Sequence, residues 1–79
     1  MMGVALKLSV VLSRDFLPLL VEKGFTEGKT LTKAGIFYVE NKELIATGAF
    51  NSNILQIKCK VSNCTSSINI FEQILVTMG

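Results

Sequence analysis

Histidine and tryptophan are missing from this 79-residue chain, proline and arginine occur once each, and cysteine occurs twice. Without histidine the chain lacks the side chain that most often acts as a general base or metal ligand. Its six carboxylates, Asp15, Glu22, Glu27, Glu40, Glu43 and Glu72, are scattered along the sequence with no pair forced together. Cys59 and Cys64 stand five apart. That is not the C-x-x-C spacing of a redox pair, and zinc would need two further ligands. They read as two small core residues, at home in a reducing compartment. No catalytic residue, metal or cofactor is expected, and the chain reads as a binding protein, not an enzyme.

Charge is scarce as well. Charged residues make up 18% of the chain, against roughly 25% in average soluble domains. The net charge of +2 is slight, and seven of the eight cations are lysines, with Arg14 the exception. Hydrophobic residues reach 49% and the mean hydropathy is +0.50. A chain of this length forms one domain, 1–79, and buries only about 60% of its unfolded surface. Its interior is too small to hide so much apolar side chain. A homodimer, or docking on a larger protein, is expected to cover the remainder.

Long hydrophobic runs are absent. Residues 1–13, MMGVALKLSVVLS, are apolar, but Lys7 interrupts them and their apolar residues alternate, unlike a signal peptide. No stretch reaches the roughly 20 residues of a membrane span. A cytoplasmic protein with no membrane contact is expected.

Val4, Leu6, Leu8, Val10 and Leu12 alternate with more polar neighbours, which predicts a half-buried strand over 4–12. Asp15 as N-cap, Pro18 in the first turn, the stripe Phe16, Leu17, Leu20 and Val21, and Gly24 as a stop predict a helix over 16–23. Residues 24–29 read as a loop. Residues 30–40, rich in β-branched and aromatic side chains, predict a second strand with a bulge at Gly35. Asn41-Lys42 forms a turn, residues 44–50 a third strand and residues 51–53 another turn. A fourth strand over 54–61 turns Leu55, Ile57, Cys59 and Val61 one way and Gln56, Lys58 and Lys60 the other. After the cap-rich stretch 62–67, a helix runs to about Met78, with Gly79 beyond it.

The order β-α-β-β-β-α predicts an α+β domain, an antiparallel sheet with two helices packed on one face. Ile68, Phe71, Ile74, Leu75 and Met78 share one face of the last helix. Phe37 and Tyr38 belong to a strand that is apolar on both sides. These seven residues are the candidates for partner contact.

Other motifs carry less. GFTEGKT, residues 24–30, has only three residues between its glycines and is followed by a predicted strand, so it is not a phosphate loop. Asn63-Cys64-Thr65 matches the glycosylation pattern by coincidence in an intracellular chain. Lys7, Lys58 and Lys60 would cluster if the first and fourth strands are neighbours. With Tyr38 or Phe37 as a stacking platform, they offer an alternative reading, a small RNA- or single-stranded-DNA-binding module. A solvated face with lysines guarding a sheet edge is the simpler reading and the one favoured.

Residues 53–78, NILQIKCKVSNCTSSINIFEQILVTM, resemble the end of the Pcc1-type small subunits of the KEOPS tRNA-modification complex. Leu55 to Val61 resembles that family's closing strand, and Ile68 to Leu75, with Asn69, its final helix. Ser66-Ser67-Ile68 stands where the family usually has a Leu-Arg pair before the helix Asn. The resemblance implies a homodimer that docks an enzyme making threonylcarbamoyl-adenosine in tRNA, without catalysing the step itself.

Overall fold

The protein is described by a computed structural model covering residues 2–78, with the side chains of Met2, Leu75 and Met78 outside the description. Eight elements follow in order: β1 (Met2–Lys7), α1 (Phe16–Glu22), β2 (Thr26–Glu27), α2 (Lys29–Lys33), β3 (Ile36–Glu40), β4 (Leu44–Ala49), β5 (Ile54–Cys59) and α3 (Thr65–Met78). The strands form one antiparallel sheet in the order β1-β5-β4-β3-β2. The expected α+β class and antiparallel sheet are present, with β2 and α2 as additions. No helix among the described residues is long and apolar enough to cross a membrane.

Alternation along each strand sends its larger apolar side chains to one side. Phe37 and Val39 of β3, Leu44 and Ala46 of β4, and Leu55 and Ile57 of β5 are at most 1% exposed. Phe16, Leu17 and Leu20 of α1 and Phe71 and Ile74 of α3 close over them in one cluster. Phe25 and Phe71 meet edge to face at 5.1 Å, joining the end of α1 to α3. Phe37 and Phe50 meet in the same way at 6.0 Å.

β1 ends at Lys7, not at residue 12. Beyond Asn53 its partner β5 gives way to the β4–β5 turn, so nothing remains for it to pair with. The chain instead rides over that turn, where the Leu8 N–H donates to the Asn53 carbonyl at 2.6 Å and the Leu12 N–H to that of Ser52 at 2.7 Å. Leu8 and Leu12 drop into the core. Leu12 lies over Gly48, where any Cβ would also come within 3.0 Å of the Ile54 carbonyl oxygen. A side chain at that strand position would have to displace the end of Leu12 and press on the backbone of β5.

Asp15 does not cap α1 through its side chain and itself has helical dihedrals. Ser13 Oγ accepts from the Asp15 N–H instead, at 3.2 Å. The larger difference lies at 24–35. The β-branched Thr30 and Thr32 sit in the helical turn α2, against their strand preference. The Thr32 N–H closes the turn on the Gly28 carbonyl at 2.8 Å, and tertiary contacts override the strand preference: Thr32 is buried, and Arg14 Nη1 donates to the Thr32 carbonyl at 2.9 Å. The Arg14 guanidinium also lies 4.4 Å from the Phe50 ring centre. Gly35, at φ 95°, turns the chain from α2 into β3 and makes no bulge.

Phe71 touches α1, the segment after it and the sheet at once. Phe71→Ala is expected to cost about 3–5 kcal/mol, a large share of the roughly 4–12 kcal/mol available to a domain of this size. The check is the urea midpoint followed by circular dichroism.

Candidate interaction surface

Two regions carry polar or accessible groups in a defined geometry. The first is the end of the molecule where the β3–β4 turn meets the start of α3. Asn41 Oδ1 accepts the N–H groups of Glu43 and Leu44 at 2.8 and 2.9 Å, which forms the expected turn. Asn41 Nδ2 donates to Ser67 Oγ at 3.0 Å, and Ser67 Oγ donates to Glu43 Oε1 at 2.6 Å. Lys60 Nζ donates to Glu40 Oε2 at 2.8 Å and to the Asn41 carbonyl at 2.9 Å. Glu40, Asn41, Glu43 and Lys60 line a shallow open groove of about 680 Å³ with Gly24, Thr26 and Lys42. Ser67 beside a carboxylate has the makings of a nucleophile, yet it is only 2% exposed, in the first turn of α3. The network works as a clamp that fixes the first turn of α3 to the hairpin.

Cys59 and Cys64 are joined as a disulfide at this same end, with Cα atoms 5.7 Å apart, within the usual span of such a bridge. This corrects the reading of two free core thiols. The bridge ties the end of β5 to the start of α3, and residues 60–63 form the link between them. Asn63 Oδ1 accepts the Thr65 N–H at 3.0 Å and so opens the helix.

The second region is the face of the sheet turned away from α1 and α3. The register places Ile36, Ala49, Ile54 and Lys7 in one row across the strands. Tyr38, Thr47, Gln56 and Ala5 form the next, and Glu40, Ile45, Lys58 and Gly3 the third. Ile36 and Ile54 are 42% and 46% exposed. Among the described residues the face carries Ile36, Ala49 and Ile54 along one end row, Tyr38, Thr47, Gln56 and Ala5 across the middle, and Lys7 and Lys58 in opposite end rows.

The predicted contact residues divide on this geometry. Phe37, Phe71 and Ile74 are buried in the protein's own core, and Ile68 is packed against it. The helical stripe was legible, but the surface it meets is the sheet and not a partner, which corrects that expectation. The side chains of Leu75 and Met78 lie outside the described residues. Tyr38 does face outward, half-buried, its ring over Gly28, where a Cβ would come within 3.1 Å of its Cγ.

The three lysines do not gather as expected, although β1 and β5 are neighbours. Lys60 is held by Glu40. Lys58 lies opposite Gly3 and Lys7 opposite Ile54, four residues or about 13 Å along the strand. Ile36, Ile45, Ile54 and Ala49 were missed as surface residues. The signal was present in the second, uncovered set of alternating positions on each strand. Comparison with protein-family profiles, with curated proteins and with solved structures finds no match.

Two outcomes test the clamp and the bridge. Asn41→Ala removes three hydrogen bonds and is expected to cost about 1–3 kcal/mol in chemical denaturation. Reducing a bridge with a sequence separation of 5 is expected to cost about 2 kcal/mol. Calorimetry with and without reductant should then show a fall in Tm on the order of 10 °C.

Proposed function

We propose that the protein is a non-catalytic subunit that forms a homodimer and docks a larger protein through the bare face of its sheet. The observation that carries the reading is that face itself. Four strands five or six residues long, β3, β4, β5 and β1, about 4.8 Å apart, give it a span of roughly 15 by 20 Å. Ile36, Ala49 and Ile54 form an apolar row along one end of it, with both isoleucines exposed, and exposed apolar patches often mark interaction sites. Ile36, Ile45, Ile54, Ala5 and Ala49 supply apolar area, and Tyr38 supplies an amphipathic anchor of the kind enriched at interfaces.

The charges favour a partner unlike the protein itself. Glu40 is engaged by Lys60, while Lys7 and Lys58 form no ion pair among the described residues. The face therefore combines an apolar row, Ile36, Ala49 and Ile54, with a polar middle at Thr47 and Gln56 and with the free lysines Lys7 and Lys58. The complement is an apolar patch flanked by carboxylates. The resemblance of residues 53–78 to the small KEOPS subunits supports an enzyme of tRNA modification as that partner, whereas the Cys59–Cys64 bridge speaks against the reducing compartment expected from the sequence.

Ile36→Glu with Ile54→Glu is the informative double variant, because both side chains are already exposed and the fold should keep its melting profile. The native complex is purified from the protein's own cells and its mass measured. A defined partner that copurifies with the wild type and is lost from the variant supports the reading. A wild type recovered with no partner overturns it. Binding of single-stranded RNA that weakens steeply with salt and disappears in Lys7→Ala/Lys58→Ala would replace it with the nucleic-acid alternative.

A further inference from the structure

The two edges of the sheet differ. β2 has two residues and runs at once into α2, so its edge is short and closed. β1 has six residues, Met-Gly-Val-Ala-Leu-Lys, with no proline and a single charge at its end. Such an edge is a template for another strand.

The hydrogen-bonding phase of β1 follows from its pairing with β5. The Leu8 N–H donates to the Asn53 carbonyl, in line with the register Leu6↔Leu55 and Val4↔Ile57. In an antiparallel ladder bonded and non-bonded pairs alternate. Leu6 and Val4 therefore aim their backbone groups at β5, and Gly3, Ala5 and Lys7 aim theirs outward.

From this we infer that β1 pairs antiparallel with β1 of a second copy, Ala5 opposite Ala5, so that two sheets join into one of ten strands. The inference rests on the homodimer proposed above and names its interface. In this register Gly3 meets Lys7 of the other copy, Ala5 meets Ala5, and Lys7 meets Gly3. All three outward-facing residues make two bonds each with their counterparts. A shift by two residues keeps only two of these pairs within the described strand.

The side chains agree with the backbone. On the helix-covered side Val4 meets Leu6 of the other copy, which covers a valine now 40% exposed. On the bare side each lysine lies over a glycine, where it meets no side chain, and the two Lys7 ammonium groups stay apart. The twofold axis stands perpendicular to the sheet, so both helical layers remain on one side and the two bare faces run together.

Ala5→Pro tests this directly. Its N–H points away from β5, and proline is tolerated at such edge positions, while the central pair of intermolecular bonds is lost. Light scattering should give twice 8.6 kDa for the wild type and the single mass for Ala5→Pro with its circular dichroism kept. Ala5→Cys should form a covalent dimer on a non-reducing gel, since opposed Cα atoms in a bonded pair lie about 5.5 Å apart. A dimer that survives Ala5→Pro, with no crosslink through Ala5→Cys, overturns the strand pairing and leaves the homodimer standing. A wild type that stays monomeric overturns both. Should Ala5→Pro fail to fold, the crosslink decides alone.

Discussion

Successive residues of a strand point to opposite faces of a sheet, and here helices cover only one of them. Phe37, Val39, Leu44, Leu55 and Ile57 all take the covered side, together with the inner faces of α1 and α3. Everything else about the molecule is arranged around that asymmetry. The aliphatic residues at the alternate positions, Ile36, Ile45 and Ile54, have no layer of their own. Part of the apolar surplus evident in the composition, Ile36 and Ile54, thus lies on a flat surface with a definite register, while Val11, Val21, Leu31, Val61 and Val76 are exposed elsewhere.

The same asymmetry decides what holds α3 in place. Its apolar stripe supplies the packing, and the polar clamp from Asn41 and Glu43 to Ser67 sets where along the sheet it begins. The Cys59–Cys64 bridge shortens the path between strand and helix at the same place. Apolar contacts tolerate sliding, whereas a hydrogen-bonded network does not. The division of labour is therefore between burial, which is broad, and a polar end that fixes position.

Periodicity made several elements readable in advance. The alternation at Leu55, Ile57 and Cys59 marks β5, and the spacing of Phe16, Leu17 and Leu20 marks α1. Phe71 and Ile74 mark α3 in the same way. What failed was information that local pattern does not carry. Thr30 and Thr32 prefer strands, and only Arg14, 18 residues before Thr32, and the burial of Thr32 hold them in a helix. Residues 8–12 keep Leu8, Val10 and Leu12 at alternate positions but run out of a pairing partner. The Ser67–Glu43 contact spans 24 residues, so no window along the chain reveals it. On the surface, the stripe of α3 was visible while the layer it faces was not, which is why core residues were taken for a contact surface and the outward isoleucines were passed over.

The first strand of this protein finds its neighbour in almost the last. Met2 to Lys7 pair only with Ile54 to Cys59, so roughly 50 residues of chain must be made before the match exists. At translation rates of about 5–20 residues per second, β1 leaves the ribosome several seconds ahead of β5. Throughout that interval the β2–β3–β4 part of the meander can assemble while β1 waits unpaired. Closure of the sheet is for that reason a late event in the birth of each molecule, and any factor that shields a nascent apolar strand would act on the amino-terminal segment first.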